Sequence, residues 1–224
     1  VDFDVIKFIE LYKKTKDYAL KNGKNLIIVG GTGFYLKALI EGLSQGVDSK
    51  IKLDIPQDEA YDLLYSLDKE YMKKIEKNDR YRIEKAYAIY KQTDLSPTSY
   101  FEKNPKIPVA KDLKIFEILW QKDELKKRIA QRTKIMIESG LIDEVIFLEK
   151  TYTREPNCMS SIGIIETLEY LDGKLTKQEL EDKISANTIK LAKRQNTFNK
   201  SQFPEKTSNI IEDLNSDIIK YFLL

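Results

Sequence analysis

The chain has 224 residues, with no histidine and a single cysteine, Cys158. These counts exclude Ser–His–Asp and Cys–His nucleophile systems, HExxH zinc sites, an internal disulfide and a cysteine-based zinc site. A net charge of +2, a hydrophobic content of 42% and the lack of any membrane-length apolar run predict a globular chain with no membrane segment, expected in the reducing cytoplasm.

The first part of the chain follows the order of elements that is typical of an open α/β sheet. Apolar residues at helical spacing predict a helix over residues 4–22, and the apolar run at 25–29 predicts a buried strand. This run leads into a glycine turn at 30–33, and a second helix is predicted over 34–41. Helix, strand, glycine turn and helix together indicate a parallel-sheet core.

The remainder of the chain is mostly helical by its pattern. Residues 44–57 are predicted to be irregular, 58–92 helical, and 94–110, which contain three prolines, a loop. A second core strand is predicted over 113–120, and helices follow at 122–139, 141–150, 161–171 and 176–201. We therefore expect an α/β core formed by residues 1–45 and 108–224, interrupted by a helical insertion at 46–107.

The bases are clustered although the net charge is small. Residues 183–200 carry five bases and no acid, and residues 122–134 carry six bases and two acids. Such clusters suit a nucleic-acid surface, but solvated helix faces give the same pattern, and the charge alone favours that interpretation. Lysine outnumbers arginine 32 to 6, so each arginine is of interest because a guanidinium binds phosphate bidentately.

The glycine turn fits neither of the common nucleotide-binding loops. The third glycine of the dinucleotide motif is replaced by Leu36, and no two glycines lie five positions apart, as a Walker A loop requires. One interpretation is a tight turn whose glycines permit positive φ. The other is an anion site at a helix N-terminus, formed by bare N–H groups and the Thr32 hydroxyl.

Six short blocks, in order, resemble the motifs of the tRNA dimethylallyltransferases. The first block is Val-Gly-Gly-Thr-Gly-Phe-Tyr-Leu-Lys-Ala-Leu-Ile-Glu-Gly at 29–42. The others are Asn-Asp-Arg-Tyr-Arg-Ile-Glu-Lys-Ala at 78–86, Leu-Lys-Lys-Arg-Ile-Ala-Gln-Arg at 125–132, Ser-Gly-Leu-Ile-Asp-Glu-Val at 139–145, Ser-Ile-Gly at 161–163 with Glu166, and Leu-Ala-Lys-Arg-Gln at 191–195. Each block alone is weak, but the ordered set covers most of the chain.

The resemblance implies a P-loop NTPase-like parallel-sheet core with a mostly helical insertion. It implies transfer of a dimethylallyl group from dimethylallyl diphosphate to N6 of the adenosine next to the anticodon of a tRNA. The expected partners are the tRNA anticodon stem-loop and dimethylallyl diphosphate, and the expected cofactor is Mg²⁺ at the family's P-loop. The protein is expected to act as a monomer.

The resemblance also assigns roles to individual residues. Thr32 is expected at the mouth of the reaction channel as a catalytic and tRNA-contacting residue, although its position also suits a helix N-cap. The residues expected to bind the diphosphate or stem phosphates are Arg128, Arg132, Lys190 and Arg194. The residues expected to contact tRNA beside Thr32 are Arg80, Tyr81, Arg82, Ile83, Glu84 and Lys85. Ile189 stands where the family has an arginine, which weakens the expected phosphate clamp.

Two expected parts of the family have no counterpart in this sequence, namely the P-loop and the aspartate that acts as general base. We therefore expect a C-terminal portion of such an enzyme, with an incomplete sheet and no activity by itself. Two alternatives stay open: a prenyltransferase that acts on free adenylate, and a non-catalytic RNA-binding remnant. The helical insertion with Arg80 and Arg82 favours tRNA over free nucleotide.

Overall fold

The computed structural model describes residues 3–44, 46, 47 and 51–223. The helices are α1 (Val5–Lys21), α2 (Gly33–Glu41), α3 (Gln57–Leu67), α4 (Lys69–Met72), α5 (Arg80–Thr93), α6 (Pro97–Lys103), α7 (Lys122–Glu138), α8 (Leu141–Tyr152), α9 (Ile164–Leu171), α10 (Lys177–Gln202) and α11 (Ile211–Leu223). A 3-10 helix spans Asn157–Ser160, and the strands are β1 (Phe116–Ile118) and β2 (Thr207–Asn209).

The chain divides into two compact units. The first unit comprises Val1–Ile27 and Phe34–Leu113, and the second comprises Ile28–Gly33 and Lys114–Leu224. The prediction that 1–45 and 108–224 form one core, with 46–107 inserted, stays a prediction.

Aspartate caps divide the predicted helical region 58–92 into separate helices. The Asp68 carboxylate accepts a hydrogen bond from the Tyr71 amide at the start of α4, and Asp79 accepts one from Arg82 at the start of α5. Each cap satisfies an amide that has no partner in the first helical turn. The apolar periodicity continues across these breaks. It therefore predicts that the region is helical, but not that it is divided into α3, α4 and α5.

The first unit contains two separate hydrophobic clusters. One joins α1, α2 and the segment before Leu113, around Tyr12, Leu39 and Ala110. The other joins α3, α4 and α5, around Leu64 and Tyr87. The second cluster lies entirely within residues 46–107, so the helical segment has a core of its own.

Two backbone segments pack closely where the chain leaves α2. Leu43 forms an isolated antiparallel bridge with Ile107, which brings the two ends of the helical segment together. Gly42, next to the bridge, has φ +83°, and a Cβ built there would lie 2.1 Å from the Ile107 carbonyl oxygen. Both the backbone angle and this close approach require glycine.

The prediction of a loop over 94–110 is wrong for residues 97–103, which form α6. The helix begins at a serine cap, because the Ser96 side chain accepts a hydrogen bond from the Ser99 amide, and Pro97 occupies the first turn. Proline is tolerated there because the first-turn amides have no helical partner. Three prolines thus gave a loop prediction in a segment where one of them starts a helix.

The prediction of a buried strand at 25–29 is also wrong. None of the described residues pairs with this run in a ladder, and Val29 is 90% exposed. A strand needs a partner for its backbone groups, and the two strands among the described residues pair with each other instead. β1 and β2 are parallel, with Phe116 opposite Thr207 and Ile118 opposite Asn209. β1 lies inside the predicted strand 113–120, whereas β2 was not predicted.

The second unit is built around α10. Ile137 of α7 packs against Leu180 and Ile184 of α10. Glu117 links the sheet to the same helix, because its carboxylate accepts hydrogen bonds from Asn199 Nδ2 and from the Ser208 hydroxyl, both at 3.1 Å. The small sheet and α10 are therefore fixed to each other. No helix of the described residues is long and apolar enough to cross a membrane.

An ion network fixes the end of α9 in this unit. Arg154 donates two hydrogen bonds to the Asp172 carboxylate, at 2.9 and 2.7 Å, and one to Glu149 at 2.5 Å. The Arg154 guanidinium and the Lys174 ammonium hold the pKa of the Asp172 carboxyl well below its usual range.

We expect Asp172→Asn to reduce the acid sensitivity of the second unit. A carboxylate with a lowered pKa stabilises the fold above about pH 4, and this contribution is lost as the pH falls further. The difference in Tm between pH 7 and pH 3 should therefore be smaller in the variant than in the wild type. Asp182→Asn, which removes an exposed carboxylate near the start of α10, is the control, and an equal change in both variants would contradict the expectation.

Candidate functional site

The second unit contains a cleft of about 810 Å³ along α10. Its lining residues are Ile162, Asn187, Lys190, Lys193, Arg194, Thr197, Phe198 and Ser201. We call it the basic cleft. Residues 187, 190, 194, 197 and 201 recur at alternating spacings of three and four, so they form one stripe along the helix.

The positive charge of the basic cleft is not neutralised within the described part of the chain. Lys190, Lys193 and Arg194 form no ion pair with a described residue. Lys183, on the same helix, does pair with Glu169 at 2.5 Å. Three cations within five residues of one helix are therefore available to an anionic ligand.

The glycine turn packs directly against α10. A Cβ on Gly31 would lie 2.7 Å from Gln195 Nε2, and one on Gly33 would lie 2.6 Å from Cδ1 of Phe198. Neither glycine has a positive φ, so the interpretation of the turn by positive φ is wrong. The missing side chains instead leave room for the Gln195 and Phe198 side chains of α10. Thr32 is exposed between the two contacts and so lies beside the helix that carries the basic cleft.

We expect Gly33→Ala to lower the free energy of unfolding by about 1–3 kcal/mol, the usual cost of overpacking. The added methyl group would displace the Phe198 ring, which lines the basic cleft. Gly30→Ala is the matched control, because a Cβ at Gly30 meets nothing within 4 Å. Denaturant unfolding of the two variants measures the difference, and equal losses would contradict the contact with α10.

A buried carboxylate lies behind one wall of the basic cleft. Glu166 accepts a hydrogen bond from the Gly163 amide at 2.6 Å and one from Asn187 Nδ2 at 2.7 Å. The Asn187 amide oxygen in turn accepts one from Lys190 Nζ at 3.4 Å. Because Ile162 also lines the basic cleft, Glu166 ties together the loop before α9 and the lysine-bearing face of α10.

The four predicted phosphate-binding residues are not all together. Lys190 and Arg194 line the basic cleft, whereas Arg128 and Arg132 on α7 do not. The Arg128 guanidinium lies 4.2 Å from the centre of the Trp120 ring, a cation–π geometry, and Arg132 is exposed. The predicted role of the two α7 arginines stays a prediction.

The predicted tRNA-contacting residues of the first unit lie at the start of α5. Arg80 pairs with Glu84 at 2.8 Å, and Arg82 pairs with Asp79 at 3.3 Å. Tyr81 is 70% exposed, with Lys85 Nζ 5.6 Å from its ring centre. An exposed aromatic ring beside a cation suits stacking on an unpaired base.

The prediction for Ile83 needs correction. Its side chain is 0% exposed and packs in the cluster of α3, α4 and α5. A side chain without accessible surface cannot contact RNA, so Ile83 stabilises the helix that carries Arg80 and Tyr81. The sequence resemblance covers a contiguous block, which does not separate exposed from buried members.

Sequence reasoning assigned only Lys190 and Arg194 of the eight lining residues to a site, and so missed Asn187, Lys193 and Phe198 among the others. The signal for Asn187 was available, because it lies one turn before Lys190 and two turns before Arg194 on a predicted helix. Phe198 has an apolar side chain at helical spacing, which ordinarily indicates core. Its place in the cleft wall follows from the close packing of Gly33, which the sequence does not show.

The described residues contain no group of three or more His, Cys, Asp or Glu side chains that could hold a metal ion. Mg²⁺ is usually held by one or two carboxylates together with substrate phosphates and water, so the expected Mg²⁺ at the family's P-loop stays a prediction, and no step is assigned to a metal.

Comparisons with known proteins show the family of the chain. The sequence model described as IPP transferase matches residues 1–202. The chain belongs to the IPP transferase family. It is 79% identical over 222 residues to the tRNA dimethylallyltransferase of Aliarcobacter butzleri, covering 99% of this chain and 76% of that protein. It is 52% identical over 225 residues to the enzyme of the same name from Sulfurimonas denitrificans, covering 97% and 75%.

Solved structures of other proteins share the fold of this IPP transferase chain. The full-length tRNA isopentenylpyrophosphate transferase of Bacillus halodurans matches with a TM-score of 0.67 and 25% identity, covering 100% of this chain and 74% of that one. A eukaryotic dimethylallyltransferase acting on tRNA matches with a TM-score of 0.74 and 23% identity, covering 89% and 53%. The predicted family and the predicted α/β class with a helical insertion are confirmed.

Proposed function

We propose that this chain provides the basic cleft and the Thr32 turn of an enzyme that prenylates tRNA. The reaction joins C1 of a dimethylallyl group to N6 of an adenine while the C1–O bond to the diphosphate breaks. Pyrophosphate leaves with the bonding electrons, and N6 gives up a proton to a base. The observation that carries the proposal is the packing of the glycine turn on the helix that bears Lys190, Lys193 and Arg194.

The charge of the basic cleft supports a phosphate ligand. Three cations without acidic partners attract an anion, and Arg194 offers the planar donor pair that suits a phosphate. Neutralising the negative charge of a leaving diphosphate lowers the barrier of such a transfer. The same cations suit the phosphates of an RNA stem.

Two further features support an RNA substrate. The relatives bear the name tRNA dimethylallyltransferase. At the start of α5, Tyr81 is exposed to solvent and has three basic residues near it in the sequence, Arg80, Arg82 and Lys85. This arrangement suits a single-stranded RNA loop. In this proposal Thr32 contacts the adenosine, and the start of α5 contacts the anticodon loop. Dimethylallyl diphosphate as donor and a monomeric enzyme belong to the same proposal.

The first experiment measures binding of a fluorescein-labelled anticodon stem-loop RNA by anisotropy as the salt concentration rises. If the basic cleft binds about three phosphates, raising the salt from about 50 to about 200 mM should weaken binding about twenty- to fortyfold. Salt-independent binding, or no binding, would contradict the proposal. Competition by AMP at equal efficiency would favour the adenylate-directed alternative.

A second experiment concerns turnover. We infer that residues 1–224 bind RNA without completing the transfer, because their sequence holds no Gly-x-x-x-x-Gly-Lys loop for the diphosphate. Labelled dimethylallyl diphosphate, a stem-loop RNA and Mg²⁺ should give no prenylated RNA with this chain. Turnover by this chain would show that the loop is dispensable.

A further inference from the structure

We propose that Glu166 is a positioning residue for the basic cleft, acting through the side-chain amide of Asn187 on the ammonium group of Lys190. The proposal rests on the proposed function for the identity of the ligand. That ligand is a phosphate oxyanion, supplied either by the RNA backbone or by a diphosphate.

The surroundings of Glu166 show why a capping role alone does not account for it. The side chain is 1% exposed, and a cap at the start of α9 needs only one oxygen, which accepts from the Gly163 amide. The second oxygen accepts from Asn187, which lies 21 positions along the chain on another helix. A buried carboxylate costs free energy unless its oxygens are satisfied, and here a residue of the cleft wall supplies the second donor.

The bond between Glu166 and Asn187 fixes which way the amide faces. The Asn187 amino group donates to Glu166 Oε1 at 2.7 Å, so this end of the amide faces Glu166. The amide oxygen then points toward Lys190 and accepts from its ammonium at 3.4 Å. Lys190 has a long, exposed side chain, and this acceptor limits the positions that its charge occupies.

The positioned ammonium lies one helical turn before Arg194, which lines the same cleft. Two cations held at a set spacing bind a phosphate with less loss of side-chain entropy than two freely moving ones. Lys193 lacks such an acceptor among the described residues. Its reactivity is therefore an internal reference for that of Lys190.

The test variant is Glu166→Gln, which keeps the shape and the oxygen that accepts from Gly163. Its amino group would face Asn187 and reverse that amide, so that two donors would meet at Lys190. The double variant Glu166→Gln with Asn187→Asp should restore an acceptor toward Lys190, because the aspartate accepts from both neighbours. Asn187→Ala removes the amide and leaves the cap intact, which keeps the test valid if Glu166→Gln fails to fold.

Two readouts separate positioning from simple stabilisation. The first is the acetylation rate of Lys190 relative to Lys193, followed by mass spectrometry, which needs no ligand. We expect Glu166→Gln to raise this ratio about threefold, since Lys190 Nζ is then no longer held by the Asn187 amide oxygen and meets the reagent more freely. The second is affinity for inorganic pyrophosphate and for stem-loop RNA, which should fall about five- to tenfold in Glu166→Gln. The double variant should return the acetylation ratio to the wild-type value or below it, while its new carboxylate in the basic cleft keeps the phosphate affinity low.

The outcomes are distinct. If Glu166→Gln lowers the Tm but leaves the lysine reactivity and the affinities unchanged, Glu166 is only a cap and the proposal is overturned. Failure of the double variant to restore the acetylation ratio would overturn it as well. Weakening confined to pyrophosphate supports it with the diphosphate as ligand, and weakening confined to RNA supports it with the backbone phosphate. If the wild type binds neither probe, the proposed function fails, and the acetylation ratio still decides the positioning role.

Discussion

Replacement of both Lys190 and Arg194 by glutamate is expected to weaken binding of anticodon stem-loop RNA by about a hundredfold or more. Each change turns an attraction into a repulsion at the same place in the basic cleft, and like charges at an interface cost several kcal/mol. The loss should be as large for inorganic pyrophosphate if the cleft binds the diphosphate. Fluorescence anisotropy at low salt measures the affinity for RNA, and calorimetry measures the affinity for pyrophosphate.

The control for this prediction changes the same net charge elsewhere in the second unit. Lys122 and Lys177 are exposed at the first positions of α7 and α10, where glutamate is also favourable to the helix dipole. The double variant Lys122→Glu with Lys177→Glu should weaken binding only a few-fold, through long-range charge. Equal weakening in the two double variants would show that net charge, and not the basic cleft, governs affinity.

Gly42→Ala is expected to destabilise the first unit by about 3 kcal/mol or more. The left-handed backbone alone costs a non-glycine residue about 1–2 kcal/mol, and the added Cβ would overlap a backbone atom that cannot rotate away. That atom is the Ile107 carbonyl oxygen, which would lie 2.1 Å from the added methyl carbon if the backbone kept its wild-type position. The clash should open the bridge between Leu43 and Ile107.

Gly23→Ala is the matched control. Gly23 also has a positive φ, of +60°, but a Cβ there meets nothing within 4 Å, so only the conformational cost applies. Thermal unfolding should rank the variants as wild type, Gly23→Ala and Gly42→Ala in order of decreasing Tm. Hydrogen exchange should show new opening at Leu43 and Ile107 in Gly42→Ala alone. Equal losses in both variants would mean that the contact with Ile107 carries no cost.

The helical part of the fold was largely predictable, because long amphipathic helices carry their own signal. The helices α1, α7 and α10 agree with the predicted 4–22, 122–139 and 176–201 within a few residues. The run at 25–29 misled because a continuous apolar segment indicates burial only when another strand lies beside it. β2, at Thr207–Asn209, is three polar residues that gain their structure from β1 and leave no pattern.

The site was predictable where chemistry and helical spacing coincide. Lys190 and Arg194 lie one turn apart and share the basic cleft. The separation of Arg128 from that cleft was not predictable, because the partner of its guanidinium, Trp120, lies on another segment. The reason for Gly31 and Gly33 was likewise hidden, since it is a contact with α10, far away along the chain.

The bridge between Leu43 and Ile107 holds the two ends of the helical segment next to each other. The described helices between these two residues have a hydrophobic core of their own. Doubling the length of a flexible loop costs only about 0.6 kcal/mol in closure entropy. Length changes in the loops of this segment are therefore expected to cost less stability than replacement of Gly42, which packs against Ile107 beside the bridge.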